Sequence, residues 1–78
     1  MTNNCSLAPL TVEVFKTNVT EATQAMALVT RIQTAFGFGQ VNFDLEDCDR
    51  ILRVEGFDID PLAIILLLRS EGYLAEVL

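Results

Sequence analysis

The stretch from Val19 to Phe36 sets the terms for the rest of the chain. Apolar residues recur at Ala22, Ala25, Val29, Ile32 and Phe36, three and four apart, with Met26 and Leu28 widening the stripe. That spacing lines them up along one side of an amphipathic helix. Thr20 stands where an N-cap belongs, and Glu21 in the first turn suits the positive end of the helix dipole. Gly37 can take the left-handed conformation that closes the helix, with Phe38 folding back onto the last turn. A helix with one apolar stripe needs a surface to cover. The flanking residues supply it.

From Leu10 the pattern has period two, and a strand is predicted over Thr11 to Thr17. Leu10, Val12 and Val14 fall on one side, read as the buried one; Thr11, Glu13 and Phe15 fall on the other. Phe15 is the exception, a large apolar residue on the side assigned to solvent. Beyond the helix, Gln40 to Leu45 alternates Val41, Phe43 and Leu45 against Asn42 and Asp44. Glu46-Asp47-Cys48-Asp49 is a turn by composition. A third strand, Arg50 to Glu55, places Leu52 and Val54 inward and Ile51 and Arg53 outward. The close spacing makes the second and third strands an antiparallel hairpin.

Asp60-Pro61 is a helix start, a capping carboxylate followed by proline at the first helical position. Apolar residues fill Leu62 to Leu68, Gly72 ends the helix, and Tyr73 to Leu78 forms a final strand. The order is βαββαβ. One antiparallel sheet with both helices on one face buries each stripe most economically. Right-handed crossovers put the first and third strands at its centre, giving strand order 4-1-3-2. The fold class is thus α+β, a ferredoxin-like sandwich spanning residues 10–78. Residues 1–9, polar or small, read as a flexible leader, with Cys5 in it an incidental thiol.

Composition narrows the function. The chain has 78 residues, half of them apolar, enough for one small core. Its net charge is −6, and its five basic residues (Lys16, Arg31, Arg50, Arg53 and Arg69) are scattered. Nucleic acid is therefore not an expected partner. Two cysteines, Cys5 and Cys48, make no disulfide framework. The first residues lack the basic start and apolar block of a signal peptide, and no apolar run approaches a membrane span. The expectation is a cytoplasmic protein with no membrane partner.

Three pieces together resemble the heavy-metal-associated (HMA) domain of copper chaperones and metal-pumping ATPases. They are Val19-Thr20 at the strand-to-helix junction, Val41 to Leu45 before the hairpin turn, and Gly72-Tyr73-Leu74-Ala75, which is similar to that family's G-Y-x-A ending. The family motif is G-M-T-C-x-x-C. Aligned on Val19-Thr20, Glu21 and Gln24 stand where the two cysteines would be. Soft thiolates select Cu(I); a carboxylate and an amide do not. The chain has no histidine to substitute. The resemblance thus implies the scaffold without copper transfer. Among other folds of this topology, an acylphosphatase would need an arginine in the first loop, and none lies between Thr17 and Thr30. An RNA-binding version would need a basic, aromatic sheet face. A ligand-sensing ACT-like domain rests on topology alone.

No catalytic constellation is evident: there is no histidine, no serine paired with a base and no glycine-rich phosphate loop. No cofactor is expected, and the chain reads as a non-enzymatic interaction or adaptor domain. Its second helix carries more large leucines than one buried stripe needs, with Ile64, Ile65 and Leu68 inward, Leu62 and Leu66 on one flank and Leu67 beyond the other. Leu62, Leu66 and Leu67, with Phe15 and Ile51 from the sheet, are the candidate contacts for an unknown protein partner or a second copy in a homodimer. The alternative is a metal-binding or metal-homeostasis protein. The topology gathers Glu21, Glu46, Asp47, Cys48, Asp49 and Glu71 near one end, and Glu21, Gln24, Asp47, Cys48 and Asp49 are its candidate ligands.

Overall fold

The computed structural model describes residues 10–37 and 39–78. The expected leader, with Cys5, and the Phe38 contact lie outside the described residues. The elements are β1 (Leu10–Thr17), α1 (Ala22–Phe36), β2 (Gln40–Asp44), β3 (Ile51–Phe57), α2 (Pro61–Ser70) and β4 (Ala75–Val77). They form one antiparallel sheet of order β2-β3-β1-β4, which is the expected 4-1-3-2 read from its other edge. The topology is ferredoxin-like. Residues of both helices share one apolar cluster with the strands: Leu28 and Ile32 of α1 and Ile64 and Leu68 of α2 close over Phe15, Leu52 and Val54.

The strand register fixes which side is covered. Across the sheet, Phe43, Leu52, Phe15 and Val77 form one row on the helix side. Phe15 is fully buried, whereas Leu10 and Val12 are at least half exposed on the open side. The expected assignment of β1 is therefore inverted. Period two defines two sides but not which is inward, and three aliphatic residues on one side weigh against one aromatic on the other. Pairing decides otherwise, because Phe15 lies opposite Leu52, and paired residues in an antiparallel ladder share a side. Leu52 and Val54 are buried as expected, and Val41 with them.

The helix ends show what the local sequence encodes. Gly37 closes α1 at φ 71°, its N–H donating to the Gln33 carbonyl. Gly72 follows α2 at φ 95°. There Gly72 N donates to Arg69 O at 3.0 Å and Tyr73 N to Leu68 O at 2.9 Å, the paired bonds of a Schellman ending. Asp60 caps α2 as expected, accepting from Leu62 N at 3.1 Å. The start of α1 differs. Glu21, not Thr20, is the N-cap residue, and its side chain makes no capping bond. Within α1 the buried stripe is Ala25, Leu28 and Ile32; Ala22 and Met26, assigned to it by spacing, are exposed. β3 runs two residues further than expected, to Phe57, and β4 is shorter.

Candidate functional site

The β1–α1 junction, the β2–β3 turn and the α2–β4 link meet at one end of the sheet. Buried Thr17 binds them: its Oγ1 donates to Arg50 O at 2.6 Å and accepts from Val19 N at 3.2 Å. Thr17 N donates to Asp49 O at 3.0 Å. Asn18 N donates to Leu74 O, and Leu74 N donates back to Asn18 Oδ1 at 2.9 Å. Val19 is fully buried, so the chain enters α1 through a packed corner. These bonds consume polar groups that an open binding loop would leave for a ligand. Glu21 is exposed beside this corner and Gln24 is half-buried one turn on.

The acidic residues at this end divide into separate groups. Asp47, Cys48 and Asp49 bring ligand atoms within 4.8 Å of one another, and Glu21 is not in that group. Glu71 is committed elsewhere, accepting from Arg31 Nε at 3.0 Å and joining the end of α2 to α1. In the turn, Asp47 Oδ1 accepts from Asp49 N at 2.8 Å and Asp44 Oδ1 from Glu46 N at 3.2 Å. Such bonds are how aspartates shape turns without any ion. Arg50 adopts φ 49° and is held there, donating from its guanidinium to Leu45 O and from its backbone to Asp47 O. Cys48 is an exposed free thiol. A thiolate with two carboxylates is a mixed donor set that suits neither Cu(I) nor Ca²⁺ well.

The apolar candidates separate cleanly. Phe15, named as a contact residue, is core and out of reach of any partner. Ile51 does lie on the open side of the sheet, as expected, but only 8% of it is exposed because it sits between Asp44 and Lys16 of the neighbouring strands. Leu67 is half-buried against the core. Leu62 and Leu66 are 60% and 51% exposed. At about 100° per residue, Leu66 lies nearly opposite the midpoint of Ile64 and Leu68, so this pair occupies the outer face of α2 rather than a flank.

A second apolar surface was not foreseen. Between α1 and β2 runs a groove of about 360 Å³ lined by Ala22, Ala25, Met26, Val29 and Thr30 from the helix and Val41, Asn42, Phe43 and Leu45 from the strand side. Met26, 70% exposed, stands at its edge. The sequence signal was present: Met26 sits off the stripe centre, and Phe43 and Leu45 belong to a strand that the expected order already put at the sheet edge. No family model, curated protein or solved structure matches the chain. Among the described residues, no helix is long and apolar enough to cross a membrane.

Proposed function

We propose that this chain is a non-enzymatic protein-interaction domain, an HMA-like scaffold without the thiolate pair, whose docking element is the outer face of α2. The observation that carries this reading is the exposed Leu62 and Leu66 pair, one helical turn apart on a helix whose core contacts Ile64 and Leu68 already supply. Leucines at i and i+4 on an exposed helix face match a partner with an apolar groove. The test compares chains carrying Leu66→Glu, Leu62→Glu or the exposed-surface control Gln33→Glu. Both leucine variants should keep the wild-type melt and lose the proteins that the wild type retains from the producing cell, while the control keeps them. Retention unchanged by both leucine variants would refute the docking face.

A second reading, a metal-binding or metal-homeostasis role, draws on the convergence of Asp47, Cys48 and Asp49. Isothermal titration of the chain with Cu(I), Zn²⁺ or Ca²⁺ decides it, since submicromolar binding lost in Cys48→Ser or Asp49→Asn would replace the first reading. The resemblance has its own check. Glu21 is the α1 N-cap and Gln24 follows three residues later, so Glu21→Cys with Gln24→Cys puts two thiols at a helix N-terminus, where thiolates are favoured. That double variant should take up Cu(I). Failure to do so would separate this junction from the family's metal loop.

A further inference from the structure

Apart from the α2 face, the α1–β2 edge is a second surface of the sheet sandwich with an open strand side. We infer that β2 pairs antiparallel with β2 of another copy about a two-fold axis at Asn42, joining the two sheets into one.

Four observations support this occupant. First, among the described residues β2 pairs only with β3, so one side of its backbone is unpaired. Its sequence, Gln-Val-Asn-Phe-Asp, holds none of the lysines or prolines that commonly guard an edge. The opposite edge strand, β4, has only three residues and is protected by its shortness.

Second, the register is self-complementary. Paired residues in an antiparallel ladder point to the same side, so only pairings that match inward with inward are allowed. Centring on Asn42 uses all five strand residues. It sets Val41 against Phe43 of the second copy on the helix side, and Gln40 against Asp44 on the open side. An apolar pair meets an apolar pair, and an amide donor meets a carboxylate.

Third, the adjoining groove carries no charged side chain. Two copies each bearing −6 repel one another, and this groove adds no like charge to the contact, where Asp44, the charged residue of β2, faces Gln40 of the second copy. Fourth, two-fold pairing would set the exposed Met26 and Ala22 of each α1 toward the other copy, covering apolar surface that strand pairing alone would leave wet. β2 and β4 are opposite edges, so the Leu62 and Leu66 face of α2 stays free.

The test is sedimentation equilibrium of the full chain under reducing conditions, with two substitutions at the axis. Asn42→Asp sets two carboxylates directly opposite each other across the dimer, while within one chain it faces Arg53 and leaves the fold intact. Its dimer should weaken by up to about five-fold, with the melt unchanged. Asn42→Cys, in a chain also carrying Cys5→Ser and Cys48→Ser, should form a disulfide-linked dimer on mild oxidation, because opposed Cα atoms in such a pair stand about 4.5–5.5 Å apart, within disulfide reach. Thr34→Cys in the same background, on the exposed side of α1, should not. A chain that stays monomeric to submillimolar concentration would overturn the inference. So would crosslinking of Asn42→Cys no faster than Thr34→Cys, or a dimer dissociated by Leu66→Glu and untouched by Asn42→Asp. The last result would place self-association on α2 and leave the α2 docking reading standing.

Discussion

The two helices are both amphipathic, yet they are held in different ways. α1 turns Thr23, Thr30, Arg31, Gln33 and Thr34 to solvent and buries a narrow stripe of Ala25, Leu28 and Ile32. α2 is apolar almost throughout, from Pro61 to Leu68, but fully buries only Ile64 and Leu68. Apolar content therefore does not measure burial, and the leucines that α2 leaves outside are the ones that call for a functional explanation. The starts of the helices differ as well. α2 begins with a side-chain cap and a proline, whereas α1 begins at a tertiary corner, Thr17 to Val19, with no side-chain cap. One helix start is written locally and the other is imposed by packing.

The largest effects should come from the buried leucines. Leu68→Ala in α2 and Leu28→Ala in α1 should each cost about 2–5 kcal/mol in urea melts, because both create cavities in the shared core. A loss for Leu68 much smaller than for Leu28 would mean that α2 is loosely seated. Next is the corner that starts α1. Thr17→Val should cost about 1–3 kcal/mol, since Val19 N and Arg50 O lose their partner at a buried position.

A direct contrast of the caps follows. Asp60→Ala should cost about 1 kcal/mol, while Glu21→Ala should change the melting midpoint little, because only the first side chain caps anything. Equal losses would break the distinction drawn between the two starts. The smallest effect belongs to the outer leucine. Leu66→Ala should shift stability by no more than about 0.5 kcal/mol, as exposed positions do. A loss like that of Leu68 would put Leu66 in the core and remove the argument for docking on α2.

Several features could be read from residues alone because their cause is local. Gly37 and Gly72 close their helices where the left-handed conformation is needed, and Asp60-Pro61 starts α2 with a cap and a pre-set φ. The 3.6-residue spacing of Ile64 and Leu68 picked out the inner face of α2 correctly. The alternation in β2 and β3 gave their inward residues and, with the connection rules, the strand order. Each follows from a single residue's backbone preference or from the period of one element.

The tertiary structure decided what depends on two elements at once. Phe15 turned inward because register sets it against Leu52, a fact no strand carries by itself. Ile51 became covered by its neighbours on adjacent strands, and Glu21 became the cap because Thr17 and Val19 fix the corner before it. Among the described residues, Asp47 and Asp49 assembled with Cys48, while Glu71 pairs with Arg31 on the other helix. The groove beside β2 exists because α1 lies against an edge strand whose outer side, among the described residues, has no strand beside it. The sequence determined the elements and their order, because backbone preference and periodicity act within a few residues. The exposed surfaces, and with them the candidate sites, were settled by packing, because exposure is a property of the neighbours.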